Sequence, residues 1–237
     1  MTSEVHLFAS GDQCLIVEFG HSVDIGINRQ VCAFAQRVRL ASLPFIIDVV
    51  PAFSSVGIHY LPFAVPRSEQ VSPYAALCGL IEGLLLEPHE STAGPTRLVE
   101  IPVCYGGEYG PDLDEVARAS DQSPKTIVAL HVATDAHVFM IGFAPGHPYI
   151  GLWDERFAVP RRLTPRTQVP AGSVAIANRQ CVIYPFDLPG GWNVIGRTPL
   201  TMFEVSRAQP CLLQPGDLVR FVEISPTQYE DAKRGAI

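Results

Sequence analysis

Apolar residues recur along this chain with two different periods, and the change from one to the other marks its organisation. Residues 13–19 (QCLIVEF) form an apolar-rich run of strand length, and residues 45–50 and 56–61 form two more, separated by the turn-rich stretch 51–55. Between the first and second runs, Ile27, Val31, Phe34, Ala35 and Val38 return at helical spacing and give one apolar stripe. A second helix is signalled at its start by Ser72 as cap and Pro73 in the first turn, with Tyr74, Leu77, Cys78, Ile81, Leu84 and Leu85 on one face. Strand–helix–strand–strand–helix is the order of a ferredoxin-like α+β unit that still needs an initial or final strand. Residues 87–96 (EPHESTAGPT) have the composition of a linker, which places a boundary there between units spanning 1–90 and 97–237.

Beyond the boundary, a strand candidate at 98–103 leads into a glycine-rich turn at 105–110. Asp112 with Glu115 reads as a capping box opening one short helix, and Ser123 with Pro124 as the start of another. After Val138 every apolar run is short and bounded by turn formers: VFMIGF, SVAIA, QCVIYPF, WNVIG, TMFEV and LVRFVEI. Many short strands at near-regular spacing predict a closed β-barrel or a sandwich, a mostly-β domain.

Composition narrows the function classes. With 47% hydrophobic and 17% charged residues in 237, the chain is globular, not disordered. Its net charge of −7 argues against a nucleic-acid partner. No window approaches the ~18 apolar residues of a membrane span, since LCGLIEGLLL is short and interrupted by Glu82. The first residues, MTSEVHLFASGDQ, carry an early acid and no apolar run, unlike a secretory signal. Six cysteines without a C-x-x-C pair fit reduced thiols in the cytoplasm.

Charge is unevenly spread. The stretch 142–198 holds six arginines (156, 161, 162, 166, 179, 197) against Asp154, Glu155 and Asp187, a net of +3, so the rest of the chain carries −10. A basic island on an acidic protein suits a small carboxylate or phosphate ligand. Arg161, Arg162 and Arg166 stand between Pro160, Pro165 and Pro170, which limit where their side chains can be presented, and Arg197 follows Gly196 at a strand end. The alternative is that these arginines serve only as surface charges or as partners of the acidic remainder.

Other motifs are weaker. The sequence contains no G-x-x-x-x-G-K-[ST] loop and no G-x-S-x-G elbow, and the Gly106–Gly110 turn reads as structural. Ser173 has no assignable histidine or acid partner and reads as a strand-entry hydroxyl. The histidines lack ligand spacing, so no metal site is expected. His147 sits in the constrained loop Pro145-Gly146-His147-Pro148-Tyr149, where it either meets a ligand or satisfies loop carbonyls. Trp153 and Trp192 are expected in packing.

The segments GFAPGHPYIG, VPRRLTPRTQVPAGSVAIA, IYPFDLPGGWNVIGRTP, VCYGGEYGPDLDEVA, GDQCLIVEFG and VVPAFSSVGIHYLP resemble the carboxyltransferase-type subunit 1 family. Its members are called allophanate hydrolase subunit 1, the B subunit of 5-oxoprolinase or Kip-type sporulation-kinase inhibitor. The resemblance covers nearly the whole chain and implies a ferredoxin-like N-terminal domain followed by a cyclophilin-like β-barrel. It further implies an ATP-dependent ring opening of 5-oxo-L-proline, with ATP and magnesium bound by the assembled complex. The implied partners are a homologous subunit 2, also called the C subunit, and the lactam-hydrolysing A subunit. The family also contains carboxyltransferase components of the urea-carboxylase type and non-catalytic histidine-kinase inhibitors. Onto the family motifs fall Arg161, Arg166 and Arg197, with His147, Tyr149, Ser173 and Tyr184 around them, as the expected substrate- or phosphate-binding set; no catalytic residue is assigned. Three departures from the family pattern, His147 in place of an aromatic residue, Gly151-Leu152-Trp153 in place of Gly-Gly-Leu and Asn178-Arg179 in place of small residues, are expected to line that pocket.

Overall fold

The computed structural model describes residues 5–87, 96–151 and 153–235, so most of the expected linker and Leu152 lie outside the described residues. The chain forms two compact units, Met1–Pro95 and Thr96–Ile237.

The first unit is a four-stranded antiparallel sheet with two helices. Its elements are β1 (His6–Ala9), β2 (Cys14–Glu18), α1 (Ile25–Leu40), β3 (Ile46–Pro51), β4 (Ser55–Tyr60) and α2 (Pro73–Leu86), and its strand order is β1-β2-β4-β3. The strand missing from the sequence pattern is the initial one: β1 folds back on β2 with His6 opposite Glu18 and Ala9 opposite Leu15. Both helices start where local chemistry says. The Asp24 side chain accepts from the Ile27 N–H at 2.9 Å, and Ser72 Oγ accepts from the Ala75 N–H at 3.1 Å, each satisfying a donor the first helical turn leaves open. The α1 stripe of Val31, Phe34, Ala35 and Val38 is buried with Leu77 and Ile81 of α2 against Leu15, Val17, Val56 and Ile58 of the sheet.

The second unit is a closed seven-stranded barrel of mixed direction. It comprises β5 (Leu98–Tyr105), α3 (Leu113–Ala119), α4 (Pro124–Val132), β6 (Ala136–Ile141), β7 (Pro148–Gly151), β8 (Arg166–Val169), β9 (Ser173–Ala177), β10 (Gln180–Ile183), β11 (Leu188–Gly190), β12 (Asn193–Arg197), β13 (Leu218–Glu223) and α5 (Pro226–Gly235). Around the barrel the order is β10-β7-β6-β13-β5-β12-β9, closing onto β10; β13 and β5 form the parallel pair. Alternation sends Val174, Ile176, Cys181, Ile183 and Ile195 into the barrel. Ala175, Ala177, Val182 and Val194 face outward, where Tyr184 and Trp192 pack over them. A separate two-stranded ribbon, β8 with β11, adds Val169 and Leu188 to that outer cluster.

Three local expectations are corrected. TMFEV is no strand: it makes a single bridge, Phe203 to Cys211. The C-terminal end is not all strand and turn, because Ser225 and Gln228 form a reciprocal capping box that opens α5: the Gln228 N–H donates to Ser225 Oγ at 3.2 Å and the Ser225 N–H to Gln228 Oε1 at 2.8 Å. Asp112 precedes α3 but makes no side-chain cap, its carboxylate being taken by arginines from another part of the chain.

Candidate functional site

A β-bulge decides what the outer face of the barrel presents. Along β12, Val194 lies opposite Ala175, but the register then shifts so that Gly196 lies opposite Val174 and Arg197 opposite Ser173. Without that extra residue, strict alternation would turn Arg197 to the interior; with it, Arg197 shares the outer face with Ser173. The row continues, because the Tyr184 N–H donates to the Ser173 carbonyl at 3.0 Å and the Gly172 N–H to the Tyr184 carbonyl at 2.7 Å. On the next strand Tyr149 pairs with Val182, which sets His147 beside Tyr184, with ring centroids 5.2 Å apart. Arg197, Ser173, Tyr184 and His147 therefore stand in one line across four neighbouring strands.

Three members of that line carry a buried polar atom without a hydrogen-bond partner: Arg197 Nε, Ser173 Oγ and His147 Nδ1. Ser173 is 0% and His147 1% exposed. An unmade hydrogen bond at such a position costs about 1–3 kcal/mol. Burial lowers the His147 pKa to about 4, so the ring is neutral near pH 7, with one nitrogen donating and the other accepting. Burial pushes Tyr184 up to about 12, partly offset by the neighbouring Trp192 backbone N–H and by Arg161. Tyr149 lies between, 5.3 Å from His147 and 6.1 Å from Trp192 between ring centroids. Arg161 lies over Trp192, its Cζ 4.8 Å from the ring centroid, a cation–π contact.

The six arginines of the basic island divide sharply. Arg156 pairs with Asp154 at 2.7 Å and Arg179 with Glu155 at 3.2 Å. Arg162 bonds Asp112 at 2.8 Å and Glu115 at 3.1 Å. Arg166 forks onto both oxygens of Asp112 at 2.7 Å. Arg161 and Arg197 make no salt bridge among the described residues, though Arg197 lies against the Tyr229 hydroxyl and within Coulombic reach of Asp187. Charge counting alone could not separate the two groups, since it treats all six alike.

Asp112 is the residue that sequence reasoning misplaced. Its buried carboxylate also accepts the Val194 N–H at 2.7 Å, so one side chain ties α3, β12 and the start of β8 together. Asn178 and Arg179 do not border the row: both have positive φ (49° and 67°) and form the turn between β9 and β10, at the opposite end of that hairpin from Ser173 and Tyr184. Arg179 there donates to the Trp153 carbonyl at 2.8 Å. Trp153 is core, stacked on His131 at 4.9 Å. An open groove of about 470 Å³ beside Asp121, Glu155, Arg156 and Pro160 shares no residue with the row.

The glycine-rich turn is committed to structure. The Gly106 N–H donates to the Ile195 carbonyl, and the Tyr109 and Gly110 N–H groups donate back to the Gly106 carbonyl. A Cβ on Gly110 would stand 2.0 Å from the Ile195 oxygen.

Residues 5–213 match the family described as carboxyltransferase domain, subdomain C and D. The chain belongs to this family. Within it, the chain is 39% identical over 237 residues to the B subunit of 5-oxoprolinase from Bacillus subtilis (strain 168), with 98% of each protein covered. It is 51% identical over 195 residues to the B subunit of 5-oxoprolinase from Haemophilus influenzae, covering 82% of this chain and 86% of that one. The crystal structure of TTHA0988 superposes with a TM-score of 0.78 at 36% identity over 90% of this chain, and this chain spans 40% of that longer one. The family match runs through both units and takes in every residue of the outer row.

Proposed function

We propose that this chain is the B subunit of a 5-oxoprolinase, which opens 5-oxo-L-proline to L-glutamate at the expense of ATP, together with a homologous C subunit and a lactam-hydrolysing A subunit. The observation that carries the reading is the 39% identity to the B subunit of a 5-oxoprolinase across 98% of both chains. A lactam carbonyl is a poor electrophile at neutral pH, which is why ring opening is coupled to ATP. The sequence contains no P-loop, and in the glycine-rich turn the Gly106 amide goes to Ile195 and the Tyr109 and Gly110 amides to Gly106. Nucleotide and magnesium binding is accordingly assigned to the assembly. What this chain offers is a small anion site, since Arg161 and Arg197 are the two island arginines without a salt bridge among the described residues. The reading places the complex in the cytoplasm, in keeping with six free cysteines.

The test is reconstitution. This chain purified alone should not turn over 5-oxoproline, whereas co-expression with the C and A subunits should give ATP-dependent glutamate formation. Full turnover by the single chain would refute its role as one component of a larger enzyme. A silent but properly assembled trio would overturn the 5-oxoprolinase reading.

A further inference from the structure

We propose that the cross-strand row Arg197–Ser173–Tyr184–His147 is a subsite for a cyclic amide bearing a carboxylate, with the carboxylate at Arg197 and Ser173 and the ring amide at His147. The inference rests on the 5-oxoprolinase reading and assigns the orientation of its substrate.

Unmet hydrogen bonds mark both ends of the row. Arg197 Nε and Ser173 Oγ are adjacent in register and both lack a partner, and a guanidinium beside a hydroxyl is a donor pair suited to a carboxylate. His147 Nδ1 is the third unpartnered atom. A neutral imidazole nitrogen either donates or accepts, so His147 Nδ1 can meet one group of the ring amide, its carbonyl or its N–H.

The length of the row fits the same ligand. Two cross-strand steps of about 5 Å separate Ser173 from His147. A hydrogen bond of about 2.8 Å at each end leaves about 4 Å for the ligand's own polar ends. That matches a carboxylate and a carbonyl on the two carbons that flank the nitrogen of a five-membered lactam. It is too short for a nucleotide and too long for a lone phosphate to bridge.

Arg197 and Phe143 border the two ends of the row. The Arg197 side chain passes Gly172, its Cγ 3.4 Å from where a Gly172 Cβ would stand, and its guanidinium lies against the Tyr229 hydroxyl. His147 is edged by Phe143, 5.3 Å between ring centroids, which is 65% exposed and held at a φ of 68°. A bulky residue at positive φ, with its ring largely in water, is a conformation the loop keeps against its local preference. Tyr184 supplies the floor between the two ends.

Calorimetric titration of the full chain, alone and in the complex with the C and A subunits, discriminates the outcomes. The probes are 5-oxo-L-proline, 2-pyrrolidinone (no carboxylate), L-proline (no ring carbonyl) and inorganic phosphate. 5-Oxo-L-proline should bind in at least one of the two preparations, with each truncated probe at least tenfold weaker. Ser173→Ala should weaken 5-oxo-L-proline about tenfold while leaving 2-pyrrolidinone unchanged, and should leave the melting temperature unchanged or higher, since it removes an unsatisfied buried oxygen. His147→Phe should show the reverse ligand pattern, weakening 2-pyrrolidinone and leaving L-proline alone. Unaltered 5-oxo-L-proline affinity in folded Ser173→Ala and Arg197→Met variants, or phosphate binding displaced by neither substitution nor 5-oxo-L-proline, would overturn the assignment. An active complex whose KM is untouched by these variants would refute the subsite and leave the 5-oxoprolinase reading standing.

Discussion

At the scale of single residues, the strongest interaction of the second unit is one that no local pattern announces. Asp112 is 2% exposed and accepts hydrogen bonds from Arg162, from both arms of Arg166 and from the Val194 amide. Removing the acid leaves Arg166 without its carboxylate and Arg162 with only the exposed Glu115. Breaking a buried pair from one side costs about 3–5 kcal/mol, and the partial exposure of both arginines reduces this, so Asp112→Ala should lower unfolding stability by about 2–3 kcal/mol. A urea titration showing less than about 1 kcal/mol of loss would mean that water satisfies the arginines equally well. Buried histidines predict a second measurable effect. His131 is held to about 3 and His147 to about 4 by burial, against about 6.5 when unfolded. Below pH 6.5 the unfolded chain binds protons that the folded chain does not, so stability falls as pH falls, by up to about 1.4 kcal/mol per pH unit for each histidine. The His147 contribution ends at about pH 4 and that of His131 at about pH 3. Tyr105 OH lies 2.7 Å from His131 Nδ1, so the clean variant is the pair His131→Phe with Tyr105→Phe. It should halve the slope of urea midpoint against pH between pH 4.5 and 6.5; an unchanged slope would assign the acid sensitivity elsewhere.

At the scale of elements, legibility followed locality. Helix starts at Ser72 and Ser123 could be read because cap and first turn are neighbours in sequence, and both serines accept the expected amide at 3.1 Å. The barrel strands could be read because each alternates or runs apolar over its own length. The helix α5 could not: of its residues only Tyr229 is buried, so it has no apolar stripe, and its signal was the capping pair Ser225 and Gln228 alone. TMFEV has strand composition but, among the described residues, only one bridging partner, and pairing is a property of two segments. The outer row was out of reach for the same reason. Its members were each singled out by type and motif, but their alignment depends on the bulge at residues 194–196, which no spacing in β12 announces. The ribbon β8–β11 depends on a comparable nonlocal fit. A Cβ on Gly190 would stand 2.0 Å from the Tyr184 hydroxyl oxygen. Gly190→Ala should therefore lift the ribbon from the outer cluster, costing about 1–3 kcal/mol by overpacking. Hydrogen exchange should accelerate at Val169 and Leu188 while Val174 and Ile176 inside the barrel stay protected. Equal acceleration in both places would show that the ribbon and barrel open as one.

At the scale of the whole molecule, the division into two units is written in the cores. The cluster of the first unit, from Leu15 to Ile81, contains no residue beyond position 85, and the barrel clusters contain none before position 99. Each cluster is built from complete elements: helix caps, strand registers and apolar faces all close within their own unit. Hydrophobic burial on that scale supplies most of the drive to fold, and each of these clusters is made of residues from one unit. Expressed separately, residues 1–95 and 96–237 should each unfold in one cooperative transition, and the midpoint of each should lie within a few degrees of its transition in the intact chain. The barrel fragment alone should also retain 5-oxo-L-proline binding if it is measurable in the whole chain, because Arg197, Ser173, Tyr184 and His147 all belong to it. Loss of cooperative unfolding in either fragment would show that the units depend on one another, and a folded barrel fragment without ligand affinity would show that the first unit contributes to the site.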